Sequence, residues 1–234
     1  MATVAQATHI LPQFLPLEAG DHLDQATFHT RYAAMPASFR AELIGGIVIV
    51  PSPLSRGHGV HHALIMAWLG QYWIATPGTL AWDSVTTILS DEDEVQPDAG
   101  LIIEPAYGGQ TGVTEDDYTT GPPELIVEIA SSSASIDLHA KHRAYEQAGV
   151  QEYVVVLVRQ RAIRWFVRQQ GTYAEMAAPA DGVYRSYILP GLWLHAEALL
   201  QLDGGQVIAV LQQGLIEPEH TAFVQALQAR RITA

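Results

Sequence analysis

Two carboxylates stand in stretches of this chain where an ionised group is costly. Asp98 lies in QPDAGLIIE, which turns from polar to apolar after it, and Glu128 interrupts ELIVEIA, a run that is otherwise apolar after its first residue. An isolated carboxylate in a low-dielectric interior costs many kcal/mol unless positive charge meets it. A divalent cation shared by the two is one answer. The other is an ion pair between Glu128 and Lys141, the nearest strongly basic residue in sequence, with Asp98 in a turn or cap role. Spacing leaves both open. Under the first, hard oxygen ligands suit magnesium or manganese, which keep several waters and complete their shell with phosphate oxygens, so a phosphodiester substrate follows. Lys141 would then orient or deprotonate the attacking water and stabilise charge building on the phosphoryl oxygens, with Asp137 one turn earlier on the same helix face.

Other reactive residue types carry less. His58, His61 and His62 fall at helical spacing but lack the carboxylate and third ligand of a zinc or iron motif, so a structural or helix-start role is expected, with His58 able to line a cleft. Ser131, Ser132 and Ser133 are not set in a nucleophile elbow and read as the start or cap of the helix carrying Lys141. GGQTG lacks the lysine of a phosphate-binding loop and reads as a plain loop.

The elements that must position these groups can be typed from periodicity and punctuation. LDQATFHTRYAAMP reads as a short helix ended by Pro36, and AELIGGIVIVPSP as a hairpin or kinked strand broken at Gly45-Gly46. HGVHHALIMAWLGQYWIA, residues 58–75, places His61, Leu64, Ile65, Trp68, Leu69 and Trp73 on one stripe of a long amphipathic helix. TLAWDSVTTILS alternates as a strand, DEDE reads as an acidic turn, and QPDAGLIIE as the next strand. ELIVEIA has the composition of a central strand buried on both faces. It is followed by a helix over ASIDLHAKHRAYEQAGV, stopped by Gly149, and by the strand QEYVVVLV, which together predict a βαβ unit. IRWFV and TYAEM read as shorter strands. A loop then ends in YILPGLWLH, and a terminal helix is expected from about Pro218 to Ile232.

Composition bounds the function classes. With 48% hydrophobic and 16% charged residues over 234 positions, one domain with a full core is expected. The absence of cysteine removes disulfides, thiolate zinc sites and cysteine nucleophiles. No apolar run has the length of a membrane span and the N-terminus lacks the pattern of a secretory signal, so a cytoplasmic protein without a membrane role is expected. The net charge of -13 argues against coating nucleic acid through a general positive field. Residues 1–140 hold 17 acids against 3 bases, whereas residues 141–185 hold 4 against 7. Arg159, Arg161, Arg164 and Arg168 in that middle segment read as the solvated face of a hairpin.

The order QPDAGLIIE, then PPELIVEIASSSASIDLHAKHRAYEQAGVQEYVVV, with AELIGGIVIVPSP and GHGVHH upstream and LPGLWLH downstream, resembles the Uma-type restriction endonuclease family of the PD-(D/E)XK superfamily. The resemblance spans roughly residues 20 to 200. It implies an α/β (α+β) restriction-endonuclease-like fold, a mixed central sheet flanked by helices with β-hairpin extensions. The corresponding organisation is an N-terminal extension over 1–20, the nuclease-like domain over 21–200 and a C-terminal helical extension over 201–234. It implies a metal site of Asp98, Glu128 and the backbone carbonyl of Ile129, holding Mg2+ or Mn2+. The superfamily lysine stands two residues after the glutamate, where this chain has Ala130, so the resemblance moves that role to Lys141. Glu42 matches the family's glutamate in ELI-G, while Ile47 and Leu157 stand where acidic residues are common. The implied activity is phosphodiester hydrolysis in DNA, with a homodimer by analogy. A fold retained as a binding or assembly module, and a metallohydrolase of a small phosphate ester, are the rival readings, the latter in better accord with the low basic content.

Overall fold

The computed structural model describes residues 15–231. Residues 1–14 of the expected N-terminal extension and the expected helix end at Ile232 lie outside the described residues. In chain order, α1 (Gln25–Ala33) precedes the hairpin β1 (Glu42–Ile44) and β2 (Ile47–Ile49), then α2 (Arg56–Ala75), β3 (Thr79–Asp83), β4 (Thr87–Ser90), β5 (Asp93–Val95) and β6 (Ala99–Ile103). Two short strands, β7 (Gly112–Val113) and β8 (Thr119–Thr120), lead to β9 (Leu125–Ala130). A π-helical stretch, Ile136–Lys141, runs into α3 (His142–Ala148), followed by β10 (Glu152–Leu157), β11 (Ala162–Gln169) and β12 (Thr172–Glu175). The ribbon β13 (Val183–Arg185) and β14 (Trp193–His195) and helices α4 (Ala196–Gln201), α5 (Gly204–Leu215) and α6 (Pro218–Arg230) follow.

The large sheet runs β12-β11-β10-β9-β6-β3 and a smaller one runs β2-β1-β5-β4-β8-β7. In the large sheet β9 pairs parallel with β10 across the α3 crossover and antiparallel with β6, so the sheet is mixed. All six residues of β9 are buried, as its composition predicts. Their alternation sorts them: Leu125, Val127 and Ile129 join the core shared with α2, whereas Ile126 and Ala130 join the core under α3. Glu128, in phase with the second set, therefore faces the helix that brings Lys141.

α2 buries His58, His61, Ile65, Trp68, Leu69 and Tyr72. Trp73, expected on this stripe, is 41% exposed, because five residues beyond Trp68 turn the side chain about 140° away at 3.6 residues per turn, whereas Tyr72 keeps the period. Trp68 donates to the Trp193 carbonyl at 2.8 Å and packs edge-on against Trp165, at 6.3 Å between centroids. Val207, Leu211 and Leu227 of α5 and α6 belong to this same core.

Three local readings change. TLAWDSVTTILS is two strands, broken at Ser84, which takes a left-handed φ of 52° and donates its N–H to the Asp98 carbonyl. DEDE is a turn only at Asp91 and Glu92, while Asp93 and Glu94 are buried in β5. The helix after β9 opens as a wide π turn, a form that recurs at functional sites.

Candidate active site

The pairing of Ala99 with Val127 continues one step to set Asp98 across from Glu128, so the two carboxylates arrive from neighbouring strands. They line one cleft of about 630 Å³ together with Glu42, Ile129, Asp137 and Lys141. Every residue singled out from the sequence as a site member thus lies at one place, although these positions span a hundred residues of chain. The small sheet supplies Glu42 from β1, the bend just before β6 supplies Asp98, β9 supplies Glu128, and the π turn supplies Asp137 and Lys141.

Lys141 is buried between two acids. Its Nζ lies 2.8 Å from Glu128 Oε1 and 2.9 Å from Glu42 Oε1. Glu42 Oε1 also accepts the Gln96 N–H at 2.7 Å, which ties β1 to the segment just ahead of Asp98. Tyr145, one turn beyond Lys141 and fully buried, donates its hydroxyl to Glu128 Oε1 at 2.7 Å. Both donors meet the same oxygen, and Glu128 Oε2 accepts no hydrogen bond among the described residues.

Asp98 is gripped from three directions. His58 Nε2 lies 3.0 and 3.1 Å from its two carboxylate oxygens, and the Ile129 N–H donates to Oδ2 at 2.7 Å. Its carbonyl lies 2.7 Å from His62 Nε2, which also reaches Asp83 at 3.2 Å. His58 lines the cleft, while His61 bonds the Gly57 carbonyl within α2. Ser133 begins the following turn: its carbonyl accepts from the Ile136 and Asp137 amides, and its hydroxyl donates to Asp137 Oδ2 at 2.6 Å. Ser131 meets the α2 N-cap Ser55, their hydroxyls 3.0 Å apart.

Four carboxylates, Glu42, Asp98, Glu128 and Asp137, share the cleft with Lys141, Arg40 and His58. Burial opposes the charge on Asp98, but the His58 bond, the Ile129 amide and Lys141 outweigh it and hold the acid below its usual range. His58 rises in turn, chiefly through that bond. Burial drives the Glu128 carboxyl well up; Lys141 opposes this, and Asp98, Asp137 and Glu42 reinforce it. Lys141 is held charged, its burial overcome by Glu128, Glu42 and Asp137. Asp137 is pushed up to about 6, first by burial, against the pull of Lys141 and the Ser133 bond. Four carboxylates crowd one buried ammonium, and a divalent ion among them would favour their ionised forms. Among the described residues no group of three or more His, Cys, Asp or Glu side chains forms a ready metal cage.

Tyr145 and Ser133 join the site without being marked as site residues in the sequence. Tyr145 follows Lys141 by four positions and so shares its helix face, a signal that was present. The His58 contact with Asp98 had no such signal, since it joins residues 40 positions apart on separate elements. Arg161 and Arg164 pair with Glu197 and Glu175 and stay away from the cleft, in keeping with a solvated hairpin face.

Residues 26–197 match the profile of the family described as "Uma2: Putative restriction endonuclease". No curated protein matches the chain. Among solved structures, a protein of Anabaena variabilis described as a putative nuclease belonging to DUF820 aligns with a TM-score of 0.57 at 14% identity, covering 74% of this chain and 96% of that one. The likeness is one of fold, and the mixed sheet flanked by helices is restriction-endonuclease-like.

Proposed function

Because the chain belongs to the Uma2 restriction endonuclease family, we propose that it is an endonuclease hydrolysing phosphodiester bonds in DNA with Mg2+ or Mn2+. The observation that carries this reading is the meeting of Asp98 and Glu128 in one cleft, with Lys141 bridging Glu128 and Glu42. The residues fit such an ion. Magnesium is commonly held by one or two carboxylates, with waters and substrate phosphate completing the shell, so a full cage of side chains is not required. Asp98, Glu128 and the Ile129 carbonyl would hold the ion. A divalent ion there supplies charge neutralisation at the phosphoryl oxygens and a water of lowered pKa.

The protein's own groups do the rest. His58 and the Ile129 amide fix the Asp98 carboxylate in one orientation. Lys141 presents fixed positive charge where the phosphoryl group becomes more negative, in a site where water screens little. Glu42 holds Lys141 through a second ion pair.

A screen of supercoiled DNA, RNA and a small phosphate diester, each with Mg2+ or Mn2+ and with chelator, tests the reading. Metal-dependent cutting of DNA is expected. Turnover of the small diester alone would favour the small-ester hydrolase, and no turnover of any substrate would favour a retained fold used for binding. Sedimentation with and without DNA tests the homodimer that cutting both strands would call for.

A further inference from the structure

We infer that Asp137 is the general base that takes the proton of the attacking water; this rests on the nuclease reading above. Lys141, the group expected to orient or deprotonate that water, cannot accept a proton in this arrangement. An ammonium with carboxylates at 2.8 and 2.9 Å has no lone pair to offer and is held in its charged form by both neighbours. Its role is electrostatic, and the proton needs another acceptor.

The other candidates in the cleft are committed. Asp98 accepts from His58 and the Ile129 amide, and Glu128 and Glu42 are ion-paired with Lys141. His58 turns Nε2 to Asp98, and its Nδ1 is buried and has no hydrogen-bond partner among the described residues. Glu128 Oε2 is likewise free of hydrogen bonds among the described residues, but Asp137 alone of these carboxylates stands outside an ion pair. It is 2% exposed, lines the cleft and makes no ion pair within 4 Å among the described residues. Its Oδ2 is fixed by the Ser133 hydroxyl at 2.6 Å, while its Oδ1 accepts no hydrogen bond among the described residues. The Tyr153 hydroxyl holds its backbone carbonyl at 3.0 Å, so both backbone and side chain of the residue are anchored.

The step balances with water as the only co-reactant. One O–H bond of the water breaks and its proton passes to Asp137 Oδ1. The freed electron pair forms the new O–P bond, the P–O bond to the departing alkoxide breaks, the alkoxide takes a proton from solvent water, and Asp137 gives its proton to the hydroxide so formed. A carboxyl raised to about 6 is ionised at neutral pH yet more basic than an ordinary aspartate, which suits this task. The charged and titratable groups facing it are Lys141 on its own helix, Tyr153 on β10, Asp98, Glu128 on β9, Glu42 on β1 and His58 on α2, with the Ser133 hydroxyl bonded to it.

The test compares wild type, Asp137→Asn and Ser133→Ala, reading pH profiles of Mn2+-dependent cleavage and Mn2+ affinity by calorimetry. Asp137→Asn should lose roughly 10²- to 10⁴-fold in cleavage, the usual worth of a general base, while binding Mn2+ nearly as wild type does. Ser133→Ala removes a bond that favours the ionised acid, so the acid limb of its profile should move to higher pH. Cleavage by Asp137→Asn at the wild-type rate, a parallel loss of Mn2+ affinity, or an unmoved limb in Ser133→Ala would each overturn the assignment and leave the nuclease reading standing. A wild-type protein that cleaves no diester removes both.

Discussion

Lys141 Nζ lies 2.8 Å from Glu128 Oε1, and each of the two residues is about 5% exposed. Taking away one partner of such a pair leaves the other charge buried without compensation, which costs on the order of 3 to 5 kcal/mol. Lys141→Ala should therefore melt well below wild type in the absence of metal, and Mn2+ should restore part of the loss by replacing the missing positive charge. Cleavage should fall by several orders of magnitude even at saturating Mn2+. Melts with and without Mn2+ check both, and an unchanged metal-free melting temperature would contradict the buried pair.

Asp137 should cost the resting protein stability. Its carboxyl titrates near 3.8 when unfolded and about 6 in the fold, so its contribution is most favourable below about pH 3.8 and is lost as pH rises through about 6. A difference of about two pKa units corresponds to about 3 kcal/mol at neutral pH. Asparagine resembles the protonated acid, so metal-free Asp137→Asn should be more stable than wild type at pH 7, by on the order of 2 to 3 kcal/mol. The gap should close towards pH 4. Denaturant titrations at the two pH values measure this, and a variant less stable than wild type at pH 7 would count against a strained, poised acid.

Tyr145→Phe removes a single hydroxyl from the fully buried contact with Glu128. Leaving a buried acceptor short of one donor costs about 1 to 3 kcal/mol. The cost should be at its upper end without metal, when Glu128 has only Lys141 left, and smaller with Mn2+ bound. Equal destabilisation in both conditions would place Tyr145 outside the metal-linked network.

Much of this arrangement was legible in the sequence, for identifiable reasons. β9 and α3 are marked by an unbroken apolar run, a helix-forming segment and Gly149, whose φ of 98° ends the helix. Asp98 and Glu128 stood out because ionised groups are rare in such strands, but their pairing depended on the antiparallel register of β6 and β9. Glu42 came from family resemblance alone, since its partner Lys141 is nearly a hundred residues away. β5 resembles a turn in the sequence because Asp93 and Glu94 look solvated. In the fold Asp93 accepts from the Gly45 amide and Ser90, and Glu94 binds Gln25 and His29, partners mostly distant in sequence. α5 lies within the expected helical extension over 201–234, but Gly204 and Gly205 mask its start in the sequence, where Asp203 caps it by accepting from the Gln206 amide.

The central claim is that Asp98 and Glu128 together hold one divalent ion, and calorimetric titration of Mn2+ into wild type, Asp98→Asn and Glu128→Gln tests it most directly. The account predicts a single site in the wild type, weakened at least about tenfold in either variant with the fold intact, since each substitution removes a charged oxygen donor. Wild-type affinity retained in both variants, or no Mn2+ binding by the wild type, would contradict it.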